Sequence, residues 1–303
     1  MKKIFDKFII ALAPMAGVTD FAFRKICADF GADMVVTEMI SLKALENKNF
    51  KTEKMLREEA NAIRCCQLFG HDVKSIQRAF ESNLFDQFDI IDFNCGCPAP
   101  KIVKNGDGSA MMRDTQNTKE IISALVKYSK KPVSVKFRLG IDGVNNYIEF
   151  AKMCEECGVK FLTLHARTRE QGYAGEVDKD AYKELIKNVN IPVFWSGDIK
   201  TKADVEYAKS IGCCGAMIGR AAMGNPEIFS YLKGKQPPYD KKQAIITHLE
   251  LLKTYFHFEK TLVAYFKKHL LWYVKSIKNA TEIKVKILEF TTLKQIEEFI
   301  DTI

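Results

Sequence analysis

A cysteine placed just after a buried strand is the first residue in this sequence with the means to do chemistry. Residues 90–93, Ile-Ile-Asp-Phe, have the apolar character of a strand end, and we expect Asn94 to leave the strand. Cys97 follows in a Gly-Cys-Pro turn, whose glycine permits unusual backbone angles and whose proline restricts the cysteine. A thiol held rigidly three residues after an amide is a candidate reactive group. A buried turn cysteine, or a metal-ligand pair with Cys95, remains an alternative at this point.

The length and composition limit which folds and which cellular compartments are expected for this protein. The chain has 303 residues, of which 47% are hydrophobic and 28% charged, so we expect one large α/β domain with a small appendage, or two medium domains. No apolar run reaches the roughly 18 residues that cross a bilayer, and the polar N-terminus is a poor signal peptide. The nine cysteines lack the spacing of a disulfide framework. We therefore expect free thiols in a reducing cytoplasm and no membrane partner.

Positive charge is concentrated towards the C-terminal end. The formal net charge is +8, and residues 253–286 contain eight lysines against two glutamates. At helical spacing Lys260, Lys267 and Lys268 can share one face, so this segment is a candidate for binding a polyanion such as RNA. A lysine-rich solvated helix surface is the alternative.

The elements that must position these residues alternate regularly. Between residue 8 and about residue 235, short apolar runs alternate with amphipathic stretches. The runs predict eight strands, at Phe8–Ala13, Met34–Glu38, Ala62–Phe69, Phe88–Phe93, Pro132–Arg138, Lys160–His165, Ile191–Trp195 and Cys214–Ile218. The stretches predict helices at Phe21–Phe30, Val73–Ser82, Asn117–Lys130, Asn145–Cys157, Tyr182–Asn188 and Lys202–Ile211. This is typical of an α/β protein with a (β/α)8 TIM barrel; a doubly wound sheet also alternates, but rarely over eight such regular units.

Turn-forming residues mark a boundary after the barrel. Residues 234–239, Gly-Lys-Gln-Pro-Pro-Tyr, read as a linker. Beyond it, the pattern predicts helices at Gln243–Lys253, Thr261–Lys278 and Leu293–Ile300. We therefore expect residues 1–238 to form the barrel domain and residues 239–303 a small C-terminal helical domain.

Polar residues fall at the carboxyl end of nearly every predicted strand, where the active sites of barrels lie. In chain order they are Glu38, Gln67, Asn94, Cys97, Lys136, Arg138, His165, Arg167, Ser196, Asp198, Gly219 and Arg220. Their agreement at one rim favours a single active site over separate structural roles.

The last two strand ends suit a phosphate group. Loops after the seventh and eighth strands of many barrels bind phosphate through backbone N–H groups. Gly197 and Gly219 let the backbone approach an anion, and Arg220 adds a charge-assisted fork. A phosphate-bearing cofactor is therefore expected. Lys136 is suited to offset negative charge on a reduced flavin, and Gln67 to hydrogen-bond an amide-like ring edge.

Taken together, the motifs resemble those of the tRNA-dihydrouridine synthases, and most closely their bacterial B branch. The matching segments are APMAGVTD (13–20), QLFG (67–70), NCGCP (94–98), VKFR (135–138), HARTR (165–169), QGYAG (171–175), SGDI (196–199), IGRA (218–221) and KKHLLWY (267–273). Each motif alone is weak, but their order and spacing cover the whole barrel and reach into the C-terminal helices.

The resemblance implies a flavin enzyme, with FMN in the barrel mouth and NADPH as its reductant. The residues near the flavin ring would be Pro14, Met15, Ala16, Gln67, Lys136 and His165. The residues holding its ribityl phosphate end would be Ser196, Gly197, Asp198, Gly219 and Arg220.

The resemblance also implies a reaction and a partner. A uridine flipped out of tRNA would receive hydride at C6 from flavin N5 and a proton at C5 from Cys97. Asn94 and Arg167 would orient the uracil. The helical domain, with Lys267 and Lys268, would bind the tRNA. We expect the protein to act as a monomer.

The sequence departs from the family pattern at two site positions. Ser196 stands where the family usually has Asn, and Cys95 stands where it usually has Met or Leu. Cys95 and Cys97 are too close for an ordinary structural zinc pair, and no second pair with matching spacing lies nearby, so we expect no metal.

Two alternative functions stay open at this point. One is a small-molecule FMN oxidoreductase on the same barrel, similar to the dihydroorotate dehydrogenases, which does not account for the basic helices. The other is a tRNA-binding protein that has lost catalysis, which does not account for the set of Asn94, Cys97 and Lys136.

Overall fold

The computed structural model describes residues 6–235 and 240–303. The predicted boundary between residues 238 and 239 therefore lies outside the described residues, as do the first five residues of the N-terminus. Among the residues described, no helix is both long and apolar enough to cross a membrane.

The described part of the chain forms a closed parallel barrel. Its strands are β1 (Ile9–Leu12), β2 (Met34–Val36), β3 (Ile40–Ser41), β4 (Ile63–Phe69), β5 (Ile90–Cys95), β6 (Val133–Arg138), β7 (Gly140–Ile141), β8 (Val144–Asn145), β9 (Phe161–His165), β10 (Val193–Ser196) and β11 (Gly215–Ile218). Eight of them form the ring in the order β1, β2, β4, β5, β6, β9, β10, β11, and β1 pairs with β11 to close it. The predicted (β/α)8 barrel is confirmed. Strand β3 pairs beside β4, and β7 and β8 form an antiparallel hairpin.

Helices surround the barrel and form the C-terminal region. They are α1 (Phe21–Asp29), α2 (Leu42–Glu46), α3 (Phe50–Lys54), α4 (Val73–Phe80), α5 (Pro100–Lys104), α6 (Thr115–Tyr128), α7 (Tyr147–Glu156), α8 (Lys179–Asn188), α9 (Lys202–Ser210), α10 (Ile228–Leu232), α11 (Lys241–Lys253), α12 (Glu259–Tyr273), α13 (Ala280–Glu289) and α14 (Leu293–Asp301). Short 3₁₀ helices occupy Gly108–Met112, Arg220–Ala222 and Val274–Ser276.

Several predicted boundaries change for local reasons. Strand β5 continues to Cys95, so Asn94 lies within the strand and not in the turn after it. Helix α7 begins at Tyr147 because the β7–β8 hairpin uses the residues before it. Helix α12 ends at Tyr273, where a 3₁₀ turn takes over. Helix α13 lies outside the predicted helices; only Ile287 of it is fully buried, so its sequence has no broad apolar face.

Side chains that point into the barrel form two layers of different chemistry. The apolar layer consists of Ile9, Ala11, Ala13, Met34, Val36, Cys65, Ile90, Phe161, Phe194 and Met217. Two residues further along β4 and β5, on the same face of each strand, come Gln67 and Asp92, which the register aligns with Ser134 of β6. A polar layer therefore lies above the apolar one, towards the carboxyl ends of the strands.

The C-terminal helices pack directly on the barrel. Phe21 and Ala22 of α1 belong to the same apolar cluster as the buried residues of α11, α12 and α14. Gly224, with φ at +66°, approaches the backbone of α12 so closely that an added methyl group would lie 2.3 Å from the carbonyl carbon of Trp272. The two regions therefore share a core and a backbone contact, which fixes α12 beside the barrel mouth.

Candidate active site

The turn that carries Cys97 is held from both sides. Asn94 Oδ1 accepts hydrogen bonds from the N–H groups of Gly96, at 3.2 Å, and of Cys97, at 2.9 Å. The Cys97 carbonyl accepts from both the N–H and the hydroxyl of Ser109, at 3.1 and 3.0 Å. A methyl group on Gly108, whose φ is +62°, would lie 2.9 Å from Cys97 Cβ, so only glycine fits there. The thiol is thus fixed in position before any ligand binds.

The Cys97 side chain is half-buried, and its protonation suits an acid. Burial raises the pKa of the thiol, so it carries its proton at neutral pH. The Ala99 N–H and the nearby cations of Arg138 and Lys136 act the other way and stabilise the thiolate. Cys95 differs, because it is fully buried in the apolar cluster that the strands share with the surrounding helices. Of the two cysteines, Cys97 is the one on the wall of the cavity at the barrel mouth.

A chain of hydrogen bonds supports Asn94 from below. Asn94 Nδ2 donates to Gln67 Oε1 at 2.8 Å, and Gln67 Nε2 donates to Asp92 Oδ2 at 2.7 Å. Ser134 donates to Asp92 Oδ1 at 2.6 Å. The predicted contact of Gln67 with a flavin ring stays a prediction. Gln67 is fully buried, lies off the cavity wall and uses its amide to orient Asn94.

Lys136 brings a positive charge to the cavity. It is aligned with Asn94 across β5 and β6, so both side chains point to the same side of the sheet. Burial and the neighbouring Arg138 lower the pKa of Lys136 to about 8, which leaves it mostly charged at neutral pH. No hydrogen bond or ion pair within the described chain occupies its Nζ. A half-buried ammonium without a protein partner is suited to an anionic ligand.

His165 is a neutral donor on the same wall. Burial and the surrounding cations, Lys136 first among them, lower its pKa to about 2. Its Nε2 lies 3.3 Å from Arg167 Nη1, a group that only donates, so Nε2 accepts and the proton resides on Nδ1. The imidazole therefore offers an N–H group without adding charge.

The loops after β10 and β11 form the other end of the cavity. Gly197 has φ at +121°, and a methyl group there would lie 2.7 Å from Val177 Cγ1 and 2.8 Å from His165 Cδ2. Arg220 donates to Asp198 Oδ1 at 2.6 Å. Within the described chain, the backbone N–H groups of residues 197, 198, 219 and 220 have no acceptor. Amides in such a concave arrangement, next to an arginine, bind anions.

Two arginines near the mouth differ in their access to the cavity. Arg167 is 1% exposed and lies off the cavity wall, because its guanidinium donates to the carbonyls of Ala174 and Gly175 and to Asp198. The predicted contact of Arg167 with a substrate stays a prediction. Arg138 lies on the wall instead. It joins the Cys97 turn to the loop after β9, donating to the carbonyl of Gly96 at 2.8 Å.

Tyr173 is a wall residue that sequence reasoning left without a role, although its motif was recognised. Its side chain is 59% exposed over the mouth. The ring centroid lies 4.8 Å from Arg220 Cζ and 5.7 Å from Arg138 Cζ. An exposed ring held between two guanidinium groups covers the entrance.

These residues enclose a cavity of about 430 Å³ at the carboxyl ends of the strands. Most of the predicted site residues line it: Pro14, Met15, Ala16, Asn94, Cys97, Lys136, His165, Ser196, Gly197, Asp198, Gly219 and Arg220. The sequence also missed Met39, Lys200 and Met223 on this wall. The barrel mouth thus combines a protonated thiol, a half-buried cation and an anion-binding end.

The predicted pair of RNA-binding lysines separates in the structure. Lys267 is half-buried, and its Nζ donates to the carbonyls of Leu288 and Phe290 at 2.9 Å each, at the end of α13. Lys267 therefore does not share an open face with Lys268. Lys268 is exposed, and a methyl group on Gly17 would lie 3.6 Å from its Nζ. Only Lys268 of the two reaches the rim of the barrel mouth.

A buried polar cluster joins the barrel to the C-terminal helices. Asp20 Oδ2 lies 2.9 Å from His269 Nε2, and Asp20 Oδ1 lies 3.5 Å from His248 Nε2. Burial would raise the pKa of the Asp20 carboxyl, but the two imidazoles hold it well below its usual range. Of the residues described, these three are the group close enough to surround a metal ion. Asp20 also accepts from the Phe23 N–H and the Tyr265 hydroxyl, which accounts for its position without one.

Comparisons with known proteins agree on one family. A family model described as dihydrouridine synthase (Dus) matches residues 11–303. A probable tRNA-dihydrouridine synthase from Rickettsia conorii is 37% identical over 310 residues, which is 93% of each chain. A tRNA-dihydrouridine synthase B from Vibrio parahaemolyticus is 36% identical over 290 residues, covering 91% of this chain and 89% of that one.

Solved structures share the barrel. A mandelate oxidase variant with an FMN adduct matches with a TM-score of 0.50, covering 74% of this chain and 70% of that chain at 19% identity. At that identity the likeness concerns the fold alone.

Proposed function

Because this chain belongs to the dihydrouridine synthase family, we propose that it reduces the C5=C6 bond of a uridine in tRNA, using FMN that NADPH reduces. The observation that carries the proposal is the barrel-mouth cavity, where a protonated, half-buried Cys97 and a cationic Lys136 line one wall. The anion-binding end of the same cavity lies at residues 197–198 and 219–220.

Three features of this chain support FMN as the cofactor. The unpaired N–H groups and Arg220 fit the phosphate. The Nδ1–H of the neutral His165 is a donor for a ring oxygen or nitrogen. Lys136 supplies the positive charge that a reduced, anionic ring requires nearby. The loop of Pro14, Met15 and Ala16 forms the opposite wall.

When bound, reduced flavin supplies a hydride to C6 of the uracil. Cys97 then donates its thiol proton to C5, so that hydride and proton together saturate the double bond. The raised pKa keeps the thiol protonated until that step. The Ala99 N–H, Arg138 and Lys136 stabilise the thiolate that remains, and solvent returns its proton.

The positions of the remaining polar groups follow from their contacts. Asn94 uses its oxygen on the Cys97 turn and its amide nitrogen on Gln67, so its main role is to aim the thiol. Arg138 anchors its Nε and Nη1 on backbone carbonyls, which leaves Nη2 to donate to a carbonyl oxygen of the uracil. Arg138 therefore takes the substrate-orienting role that the sequence gave to Arg167.

The basic, exposed Lys268 beside the mouth supports a polyanionic substrate over a free pyrimidine. A dihydroorotate-dehydrogenase-like enzyme would have no use for a lysine outside the cavity at this point. The small-molecule alternative remains an outcome of the test.

The experiment combines cofactor and product analysis. The purified protein is expected to be yellow and to release FMN on denaturation. With NADPH and tRNA from cells that lack the protein, it should produce dihydrouridine, detected by mass spectrometry of digested tRNA and mapped to a position. A well-folded preparation that binds no flavin would contradict the proposal. So would a preparation that reduces a free pyrimidine but not tRNA.

A further inference from the structure

A second cavity, larger than the one at the barrel mouth, opens between α3 and the C-terminal helices. Its volume is about 670 Å³. Six of its fourteen lining residues are phenylalanines or tyrosines. They are Phe21 of α1, Phe50 of α3, and Tyr255, Phe256, Phe258 and Tyr265 from the end of α11 into α12. We call this cavity the aromatic cleft.

Two of these aromatic rings are largely exposed to solvent. Phe258 is 75% exposed and Phe50 is 66% exposed, the highest values among the large apolar side chains of the described residues. The rings come from segments about 200 positions apart in the chain, yet line the same cleft. Exposed rings gathered around a concavity are typical of a ligand site, whereas single exposed apolar residues need no explanation.

The charges of the aromatic cleft indicate which ligand. Lys51, Lys54 and His257 are among its lining residues. Asp20 and Glu38 also line it, but Asp20 lies against His248 and His269, and Glu38 accepts from the Gly17 N–H. Lys54 Nζ lies 4.6 Å from the Phe50 ring centroid and 5.6 Å from that of Tyr255. Cations interleaved with exposed rings match a single-stranded nucleic acid, whose bases stack on the rings while lysines contact the phosphates. A purely apolar partner would leave these cations desolvated.

The aromatic cleft and the barrel mouth are neighbours. Glu38, which lines the cleft, accepts a hydrogen bond from the N–H of Gly17 in the loop after β1. Lys268 Nζ lies 4.5 Å from the ring centroid of Tyr265 in the cleft wall, and it also approaches Gly17. Lys268 thus stands between the two cavities, where a phosphate linking two nucleotides would pass.

We propose that the aromatic cleft binds a second unpaired nucleobase of the tRNA, stacked against Phe50 and Phe258, while the target uridine occupies the barrel mouth. Lys268 contacts the backbone between them, and Lys51 and Lys54 contact phosphates beyond the stacked base. The cleft thereby holds an unpaired segment of tRNA in place as the uridine leaves its stack. This inference rests on the proposed function, since it takes tRNA as the substrate.

The first test removes the rings. The double variant Phe50→Ala and Phe258→Ala should raise the KM for tRNA by about 10- to 100-fold, the range expected for loss of base stacking, with kcat and flavin content unchanged. Tyr231→Ala is the matched control, because Tyr231 is an exposed ring on α10, away from the cleft. It should leave the KM unchanged. An unchanged KM in the double variant would overturn the proposal.

The second test detects stacking directly. Phe258→Trp keeps a ring in place and should retain the KM, and its added fluorescence should be quenched when tRNA from cells lacking the protein is titrated in. Quenching without any dihydrouridine formation would support the cleft while refuting the proposed function. Normal dihydrouridine formation without quenching would refute the cleft alone. Quenching that depends on protein concentration and not on tRNA would identify the cleft as a contact between copies of this chain, and would also refute the proposal.

Discussion

The barrel mouth and the C-terminal helices use positive charge in opposite ways. In the mouth, Lys136 is half-buried, has a pKa of about 8 and has no hydrogen-bond or ion-pair partner among the described residues. On α12, Lys267 uses its charge to cap the carbonyls at the end of α13, and Lys268 projects into solvent at the rim. The mouth holds charge ready for a small ligand, whereas the helices hold it in their own structure or on the surface.

The difference has a structural origin. In the mouth, strand register decides which residues face the cavity, and neighbouring strands fix the side chains from both sides. On a helix, each step in sequence rotates the side chain by about 100°, so adjacent lysines acquire unrelated surroundings. The proposed chemistry, which needs a fixed geometry, accordingly uses the strand ends, and the proposed recognition of tRNA uses the helices.

The largest effect is expected where the two regions join. Asp20→Asn keeps an effective N-cap on α1 but removes the carboxylate that lies against His248 and His269. The pKa of His269 is lowered to about 4, so at neutral pH its uncharged imidazole donates to the Asp20 carboxylate, and losing this charge-assisted hydrogen bond should lower the free energy of unfolding by about 1.5–3 kcal/mol, measured by urea denaturation. The control Asp29→Asn on the same helix removes an exposed pair with Lys25 and should cost under about 1 kcal/mol. Equal stabilities of the two variants would show that the cluster does not hold the regions together.

A change at the anion-binding end comes next. Gly197→Val places side-chain atoms within contact distance of Val177 and His165, where even one methyl group lies under 3 Å away. Overpacking of about 1–3 kcal/mol should displace the wall and lower FMN retention by roughly 5- to 150-fold. FMN retention is measured as the molar ratio of flavin to protein after gel filtration. Gly219→Ala is the matched control, because a methyl group there meets its nearest atom, in Ala13, at 3.7 Å. If both variants lose flavin equally, shape at residue 197 is not what matters.

The pH dependence of the reaction should follow the titration of Lys136 in the barrel mouth and not that of residues on the C-terminal helices. Lys136 has a pKa of about 8, so its charged fraction falls from about 90% at pH 7 to about 10% at pH 9. Cys97, with a pKa raised by burial, stays protonated over most of that interval. Reduction of tRNA in a single turnover should therefore slow by about tenfold between pH 7 and pH 9. Lys136→Arg, which stays charged, should move the decline to higher pH; an unchanged profile would exclude Lys136 as its source.

The smallest effect separates the two adjacent lysines. Lys268→Gln should weaken tRNA binding by a few-fold and reduce the salt slope of binding by about one, as expected for one lost phosphate contact. Lys267→Gln should leave the salt slope unchanged and lower thermal stability, because it frees two carbonyls at the end of α13. The reverse result would place the tRNA on the opposite side of α12.

Much of the fold and of the mouth followed from the sequence, because both depend on local pattern. The apolar runs predicted the strands, and the positions of Lys136 and His165 at strand ends predicted that both lie at one rim of the barrel. Cys97 was recognisable because a Gly-Cys-Pro turn fixes a side chain wherever it occurs. The glycines after β10 and β11 were recognisable because these two loops bind phosphate in many barrels.

The sequence did not predict contacts between residues that are distant in the chain. Arg167 follows β9, where strand alternation no longer decides direction, and it turns away to bind Asp198. Gln67 lies in the polar layer below the cavity wall. The position of a residue near a strand end does not show how far its side chain lies below the barrel mouth. Phe50 and Phe258 line the same aromatic cleft, and no sequence pattern in either segment predicts that they lie close together.

The central claim is that Cys97 donates the proton at the barrel mouth. The most direct measurement is a single turnover: the protein is reduced with NADPH, mixed with tRNA without oxygen, and followed by the return of flavin absorbance and by dihydrouridine formed. Cys97→Ala should slow the step by about 10²–10⁴-fold while NADPH reduction and tRNA affinity stay unchanged. Cys95→Ala, which alters only a buried apolar contact, should react at close to the normal rate. A fast Cys97→Ala variant beside an inactive Cys95→Ala variant would contradict the account.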